Sequence, residues 1–233
     1  MEILLIFSVV AFLYASVGHG GASGYIALMA IFAFPQTEIK TNALFLNIFV
    51  SFISFTQFFK KEEFPFNLFF ILIIFSIPMA FLGGMWTLDN RWYKIILGLI
   101  LFIPIVKFLG FFPKMQFQVK QNLLLVIVLG LLIGLLSGLL GIGGGIILSP
   151  ILIFLGWCTV KQTAAVSAIF IFVNSLAGLL GKSFATLQFS ENIVQILIFT
   201  LFGGILGGFF GANKFKILWI QYTLAFVLII ACF

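Results

Sequence analysis

The sequence predicts an all-α fold: a polytopic helical membrane protein made of two inverted repeats. Each repeat is read as a glycine-broken re-entrant or short-helix hairpin plus three transmembrane helices. Three observations carry this. Of the 233 residues, 63% are hydrophobic and 8% charged, against about 45–50% apolar and about 25% charged in a soluble domain. Apolar residues fall in eight continuous blocks with the charge gathered between them. The two halves of the chain also resemble each other. The same composition excludes a water-soluble globule, a disordered chain and a nucleic-acid-binding domain. The net charge of +6 comes from short scattered clusters, as in the loops of membrane proteins.

The blocks run from Ile3 to Phe34, Ala43 to Phe59, Phe66 to Trp86, Trp92 to Phe112, Leu123 to Leu155, Thr163 to Leu180, Ile193 to Gly211 and Phe215 to Phe233. Six have lengths near the ~20 residues that cross a hydrocarbon core of ~30 Å. A barrel would alternate in shorter segments, and these runs do not. No Lys or Arg precedes the first block, so it lacks the basic region of a cleavable secretory signal and is expected to be the first membrane segment. Trp86, Trp92, Trp157 and Trp219 stand at block ends, the positions of an interfacial aromatic belt. Cys158 and Cys232 lie in apolar stretches and make no disulfide framework; buried or lipid-facing thiols are expected.

The first and fifth blocks exceed 30 residues, which as one straight helix would reach about 45 Å or more. Each is interrupted by glycines, at Gly18-His19-Gly20-Gly21-Ala22-Ser23-Gly24 and at Gly141-Ile142-Gly143-Gly144-Gly145. Each glycine costs about 1 kcal/mol of helix propensity relative to alanine, so both clusters should unwind the backbone. Displacing the chain by 123 residues lays Gly18 to Ala22 on Gly141 to Gly145. One residue fewer lays Thr41-Asn42-Ala43 on Thr163-Ala164-Ala165 and Lys60 on Lys182, and Leu82-Gly83-Gly84 later meets Leu206-Gly207-Gly208. The chain therefore divides into a first membrane repeat at 1–112, a linker at 113–121 and a second membrane repeat at 122–233.

Charge then orients the repeats. With eight single crossings the basic residues divide six and six. If each glycine-broken block enters and returns, Lys60, Lys61, Lys107, Lys114, Lys120, Lys161, Lys214 and Lys216 share one side, and only Lys40, Arg91, Lys94 and Lys182 face the other. That bias satisfies the positive-inside rule. It places both termini outside the cytoplasm and inverts one half relative to the other, an architecture of many secondary transporters.

A catalytic reading fails on the residues present. There is one histidine, and the six carboxylates all sit at block ends or in loops. No His/Cys/Asp/Glu cluster has metal-ligand spacing. Gly141 to Gly145 has no Gly-Lys-Ser/Thr ending and no βαβ context, so it is not a nucleotide loop. No catalytic residue, metal or cofactor is expected, and the chain is read as not an enzyme.

The breaks are the candidate site. Unwound backbone at membrane depth must be buried in protein or line a wet cavity. Free N–H groups at a half-helix N-terminus attract an anion, and glycine lets them approach it closely. The candidate substrate-binding residues are Gly18, His19, Gly20, Gly21 and Ser23 in the first break. In and after the second they are Gly141, Gly143, Gly144, Gly145 and Ser149, joined by Thr41, Asn42 and Thr163 at the starts of matching helices. His19 either donates to substrate or carries a proton, or else bonds a neighbouring carbonyl. Ser16 and Ser137 also flank the breaks. Pro150, without an N–H, is expected to help start the half-helix. Asn47 and Asn174 serve either another helix or the substrate. Lys60 and Lys182 are expected to snorkel to the interface. The glycines at four-residue spacing, Gly130-Gly134-Gly138 and Gly203-Gly207-Gly211, read as helix-packing surfaces.

Leu140-Gly141-Ile142-Gly143-Gly144-Gly145, then Ser149-Pro150, then Thr163-Ala164-Ala165-Val166-Ser167 together resemble the signature of the TauE/SafE membrane family, and the weaker first-half copy extends the resemblance over nearly the whole chain. The first half departs at Ala22, at His19 and in having no counterpart to Pro150. The resemblance implies a transporter of small anions in a bacterial or archaeal inner membrane, linked to export of sulfite, sulfonates and related sulfur compounds, and leaves the choice among sulfite, sulfonate and thiosulfate open. The expected partners are thus a small anionic substrate and the lipid bilayer. A coupling proton or cation and a homo-oligomer stay open. An anion channel and a non-transporting membrane scaffold are the alternatives.

Overall fold

A computed structural model describes residues 2–86, 96, 119–182, 187–216 and 222. The block Trp92–Phe112 apart from Ile96, most of the linker and of the last block, and with them Arg91, Lys94, Lys107, Lys114, Trp219 and Cys232, lie outside the described residues. Among the described residues the elements are α1 (Glu2–Ala15), α2 (Ala22–Ile31), α3 (Gln36–Phe58), α4 (Phe66–Met85), α5 (Leu123–Leu140), α6 (Gly145–Phe154), α7 (Val160–Gly181) and α8 (Ile193–Asn213), with no strand. Five of these, α3, α4, α5, α7 and α8, are long and apolar enough to cross a membrane. The protein is an all-helical polytopic membrane protein.

Local chemistry sets several helix ends. Asn122 opens α5 by accepting from the Leu124 N–H at 3.0 Å. Thr159 and Gln162 open α7 with a reciprocal capping box. Both long first blocks are interrupted where the glycines cluster. Residues 16–21 separate α1 from α2, and residues 141–144 separate α5 from α6. Gly21 and Gly144, at the N-caps of α2 and α6, have φ of 97° and 76°, a left-handed conformation that glycine adopts without steric cost.

Glycine ridges fix which helices touch and in which direction they run. Gly130, Gly134 and Gly138 of α5 abut the backbone of Leu72, Ser76 and Ala80 of α4. Gly203, Gly207 and Gly211 of α8 abut the backbone of Ser8 and Phe12 of α1 and of Ser16 just after it. In each pair both sets of numbers rise together, so the helices are parallel. Gln57 of α3 donates to the Ile205 carbonyl of α8, and Lys61 donates to Asn213. So α1, α8 and α3 all run in one direction, and the chain doubles back through α2. Meanwhile α3 and α7 are antiparallel, with Thr41 facing Lys182 and Glu62 facing Thr159. That sets α4, α5 and α7 the other way, with α6 doubling back between the last two.

The ends of this bundle differ in charge. Lys60, Lys61, Lys120, Lys161, Lys214 and Lys216 collect with Glu62 and Glu63 where α3 and α8 finish and α7 begins. Lys40 and Lys182 lie at the opposite end with Glu2, Glu38 and Glu191. Between the ends, Val194, Ile198, Phe202, Ile205 and Phe209 form an exposed apolar stripe on α8, at the helical spacing of a surface facing lipid.

Three expectations change. Pro150 does not start the half-helix. α6 already begins at Gly145, placing Pro150 inside it, where it lacks the N–H that would bond the carbonyl four residues back. Trp157 is only 8% exposed and donates from Nε1 to the Val119 carbonyl at 2.7 Å, so it pins the start of α5 and does not face lipid. Trp86, by contrast, is 62% exposed. Lys182 turns inward and donates to Thr41 Oγ1 at 2.6 Å.

Candidate functional site

The two breaks are buried without exception: every residue from 14 to 26 and from 137 to 150 is inside the protein. Helix geometry leaves the first N–H groups of α2 and α6 without intrahelical acceptors. Both half-helix N-termini, with their partial positive charge, therefore end in the protein interior.

One side chain joins them. The Asn47 amide oxygen accepts from the Ala22 N–H at 3.2 Å, at the start of α2. Its nitrogen donates to Ser175 Oγ at 2.8 Å and to the Ile142 carbonyl at 3.5 Å, in the second break. A Cβ on either Gly20 or Gly143 would land on this amide. The two glycines thus hold the place in which Asn47 bridges the halves.

His19 makes the second bridge. Its Nδ1 lies 3.1 Å from the Val17 carbonyl and its Nε2 lies 3.1 Å from Ser149 Oγ, which is 2.6 Å from Ser167 Oγ. A carbonyl only accepts, so Nδ1 carries the proton. In the neutral ring Nε2 then accepts from Ser149, and Ser149 accepts from Ser167. The result is a directed chain from α7 through α6 to the first break.

Beside each N-cap glycine lies a residue whose hydroxyl has no partner among the described residues. The Tyr25 hydroxyl packs under Gly21 and Ser137 packs against Gly144; both residues are fully buried. Ordinarily a buried hydroxyl is bonded. No carboxylate, lysine or arginine is among the side chains gathered here, which are His19, Asn47, Tyr25, Ser137, Ser149, Ser167 and Ser175.

Of the residues singled out in the sequence, His19, Gly20, Gly21, Gly143, Gly144 and Ser149 come together at this centre. Gly145 abuts Ile171 and the Ser167 carbonyl. Ser23 turns away to Tyr14 at 2.8 Å, and Ser16 bonds back to the Leu13 carbonyl. Gly18 packs on Ala164 and Gly141 on the Lys40 stem, each nearer one end of the bundle. Thr41 is held by Lys182, and Asn42 accepts from the Ser190 N–H at 3.3 Å. Thr163 is buried, its hydroxyl without a partner among the described residues. Asn174 bonds within α7, to the Phe170 carbonyl.

Tyr25 and Ser175 went unmarked in the sequence, Ser167 stood out only as the end of the family motif, and Asn47 was left undecided. A signal existed for most of them. Asn47, Ser51 and Ser54 on α3, and Thr163, Ser167 and Asn174 on α7, recur at helical spacing and are all buried. Two groups outside the spans are shifted by burial. Lys182 sits below the usual lysine range. The Cys158 thiol is pushed up to about 12, away from thiolate chemistry.

The profile of the family described as sulfite exporter TauE/SafE matches residues 3–233. The chain belongs to the TauE/SafE family. A relative from Sinorhizobium fredii (strain NBRC 101917 / NGR234), described as "Probable membrane transporter protein y4hK", is 33% identical over 97% of this chain and 93% of its own length. No solved structure matches. As a TauE/SafE protein with five candidate spans, the chain is a multi-pass membrane protein of a transporter family. Its second break carries the glycine signature, and its first break carries His19.

Proposed function

We propose that this chain is a secondary transporter that exports a small sulfur-containing anion, of the sulfite, sulfonate or thiosulfate type, across the inner membrane. One observation carries the proposal: two buried half-helix N-termini meet at a cluster of neutral donors, bridged by Asn47 and His19. Such ends attract an anion, and neutral donors hold it without an ion pair that would resist release. The amides of Gly20, Gly21, Gly143 and Gly144, with the hydroxyls of Tyr25, Ser137 and Ser149, form the seat. Thr41, Asn42 and Thr163 lie on the approaches from the two ends.

The halves act as inverted repeats. The exchange of directions supports this, since α1 and α3 run one way and α5 and α7 the other. Rocking of one half against the other alternates access to the seat. The lysine-rich end faces the cytoplasm by the positive-inside rule, which puts Glu2 on the outer side. A monoanion leaving a negative interior gains about 2.3 kcal/mol per 100 mV, so the membrane potential suffices as a drive. Charging of His19 would reverse both hydroxyls in its serine chain, which gives a cotransported proton a seat beside the anion.

Flux from proteoliposomes tests this. Vesicles loaded with sulfite, thiosulfate or an alkylsulfonate should lose at least one of them saturably, faster as an imposed potential is raised. Loss no faster than from protein-free vesicles for all three overturns the transport reading. Flux that never saturates favours a channel.

A further inference from the structure

The structure assigns to this protein a second binding site, for the head group of an anionic phospholipid, where α3 and α8 finish side by side. A hollow of about 380 Å³ opens there, lined among others by Gln57, Lys60, Lys61, Ile205, Phe209 and Asn213. Its walls are of two kinds. Lys60 and Lys61 form the polar wall, and among the described residues neither meets a carboxylate. Lys61 is held in place: its ammonium donates to Asn213 Oδ1 at 2.6 Å, and the Asn213 amide in turn donates to the Phe209 carbonyl at 2.9 Å. Gln57 ties the floor to α8 by donating to the Ile205 carbonyl at 3.1 Å.

The other wall belongs to the lipid-facing stripe of α8. Ile205 is 50% exposed and Phe209 is 48% exposed. From Ile205 to Asn213 the helix rises about 12 Å, enough to pass from acyl chain to head group. A free inorganic anion would use the lysines and leave the apolar wall bare. A lipid of no net charge would cover the apolar wall and leave two ammonium groups without a counter-charge. A negatively charged head group with its acyl chain along α8 satisfies both. Lys214 and Lys216 follow at the same end, adding to the attraction for an anionic surface.

Native mass spectrometry of the whole chain in detergent, with added phosphatidylglycerol or phosphatidylcholine of matched acyl chains, tests the assignment without reference to transport. Phosphatidylglycerol should be preferred by on the order of thirtyfold, as two lysines near a membrane surface predict. The Lys60→Gln/Lys61→Gln protein should bind the two lipids alike, and glycerol 3-phosphate in solution should not displace phosphatidylglycerol. Equal binding of both lipids by the unaltered chain overturns the assignment. So does a preference that survives the double substitution, and so does displacement by glycerol 3-phosphate, which would mark a soluble-anion site. Both lysines are exposed, so their replacement leaves the core untouched.

Discussion

At the scale of single residues, the sharpest distinction lies between polar groups that serve the fold and those held in reserve. Asn47 is fully used, with its amide bonded on both sides. The hydroxyls of Tyr25 and Ser137 are buried and unpartnered among the described residues. An unsatisfied buried polar group costs about 1–3 kcal/mol, so Tyr25→Phe and Ser137→Ala should leave thermal stability unchanged or raise it. If the two hydroxyls bind the anion, each loss should raise the KM for export roughly tenfold to a hundredfold, the worth of a hydrogen bond to a charged ligand. Thermal unfolding in detergent read beside proteoliposome flux decides the matter. A lower melting temperature with unchanged KM would return both hydroxyls to the fold. Asn47 was half legible beforehand, because an amide in an apolar helix stands out. Tyr25 was not, since a tyrosine in an apolar run reads as packing until its hydroxyl is seen to lack a partner.

At the scale of elements, glycine has two roles here, and spacing separates them. Glycines four apart form a ridge on an intact helix, as in α5 and α8. Glycines crowded into a few residues break the helix, as at 18–21 and 141–144. Both roles were readable from the sequence, because each follows from backbone geometry alone. The positions of Pro150 and Trp157 were not. A left-handed Gly144 has already started α6 before the proline is reached, and a loop folds the indole back onto Val119. Neighbouring glycines supply a test. A Cβ on Gly207 would strike the Phe12 backbone, whereas one on Gly208 would meet only the flexible Gln57 side chain, at 3.2 Å. Gly207→Ala should therefore lose about 1–3 kcal/mol to overpacking, while Gly208→Ala should unfold in detergent within a few tenths of a kcal/mol of the parent. Equal losses would mean that α1 and α8 do not depend on that close approach.

At the scale of the molecule, the bundle is fastened at both ends at once. On the lysine-rich side, Thr159 Oγ1 donates to Glu62, and the Gln162 amide donates to the Glu63 carbonyl at 2.9 Å. On the other side Lys182 holds Thr41, and Asn42 accepts from Ser190. Every one of these bonds joins the first half to the second. In the rocking cycle proposed above, one set opens while the other stays shut, and an arrangement with both sets made would be its closed intermediate. Three of the four are exposed or half-buried and the Asn42–Ser190 bond is buried, and each is a single hydrogen bond worth about 0.5–3 kcal/mol net. Covalent locking of either end should therefore stop a cycle that the native contacts merely punctuate. With Cys158 and Cys232 replaced by serine, a reducible bis-thiosulfonate cross-link between Thr41→Cys and Lys182→Cys should abolish flux, and so should one between Glu62→Cys and Thr159→Cys, with recovery on reduction in both cases. A fixed anion-conducting pore would need neither end to move. Flux that persists through both locked proteins would exclude rocking of one half against the other, even with the central anion seat intact.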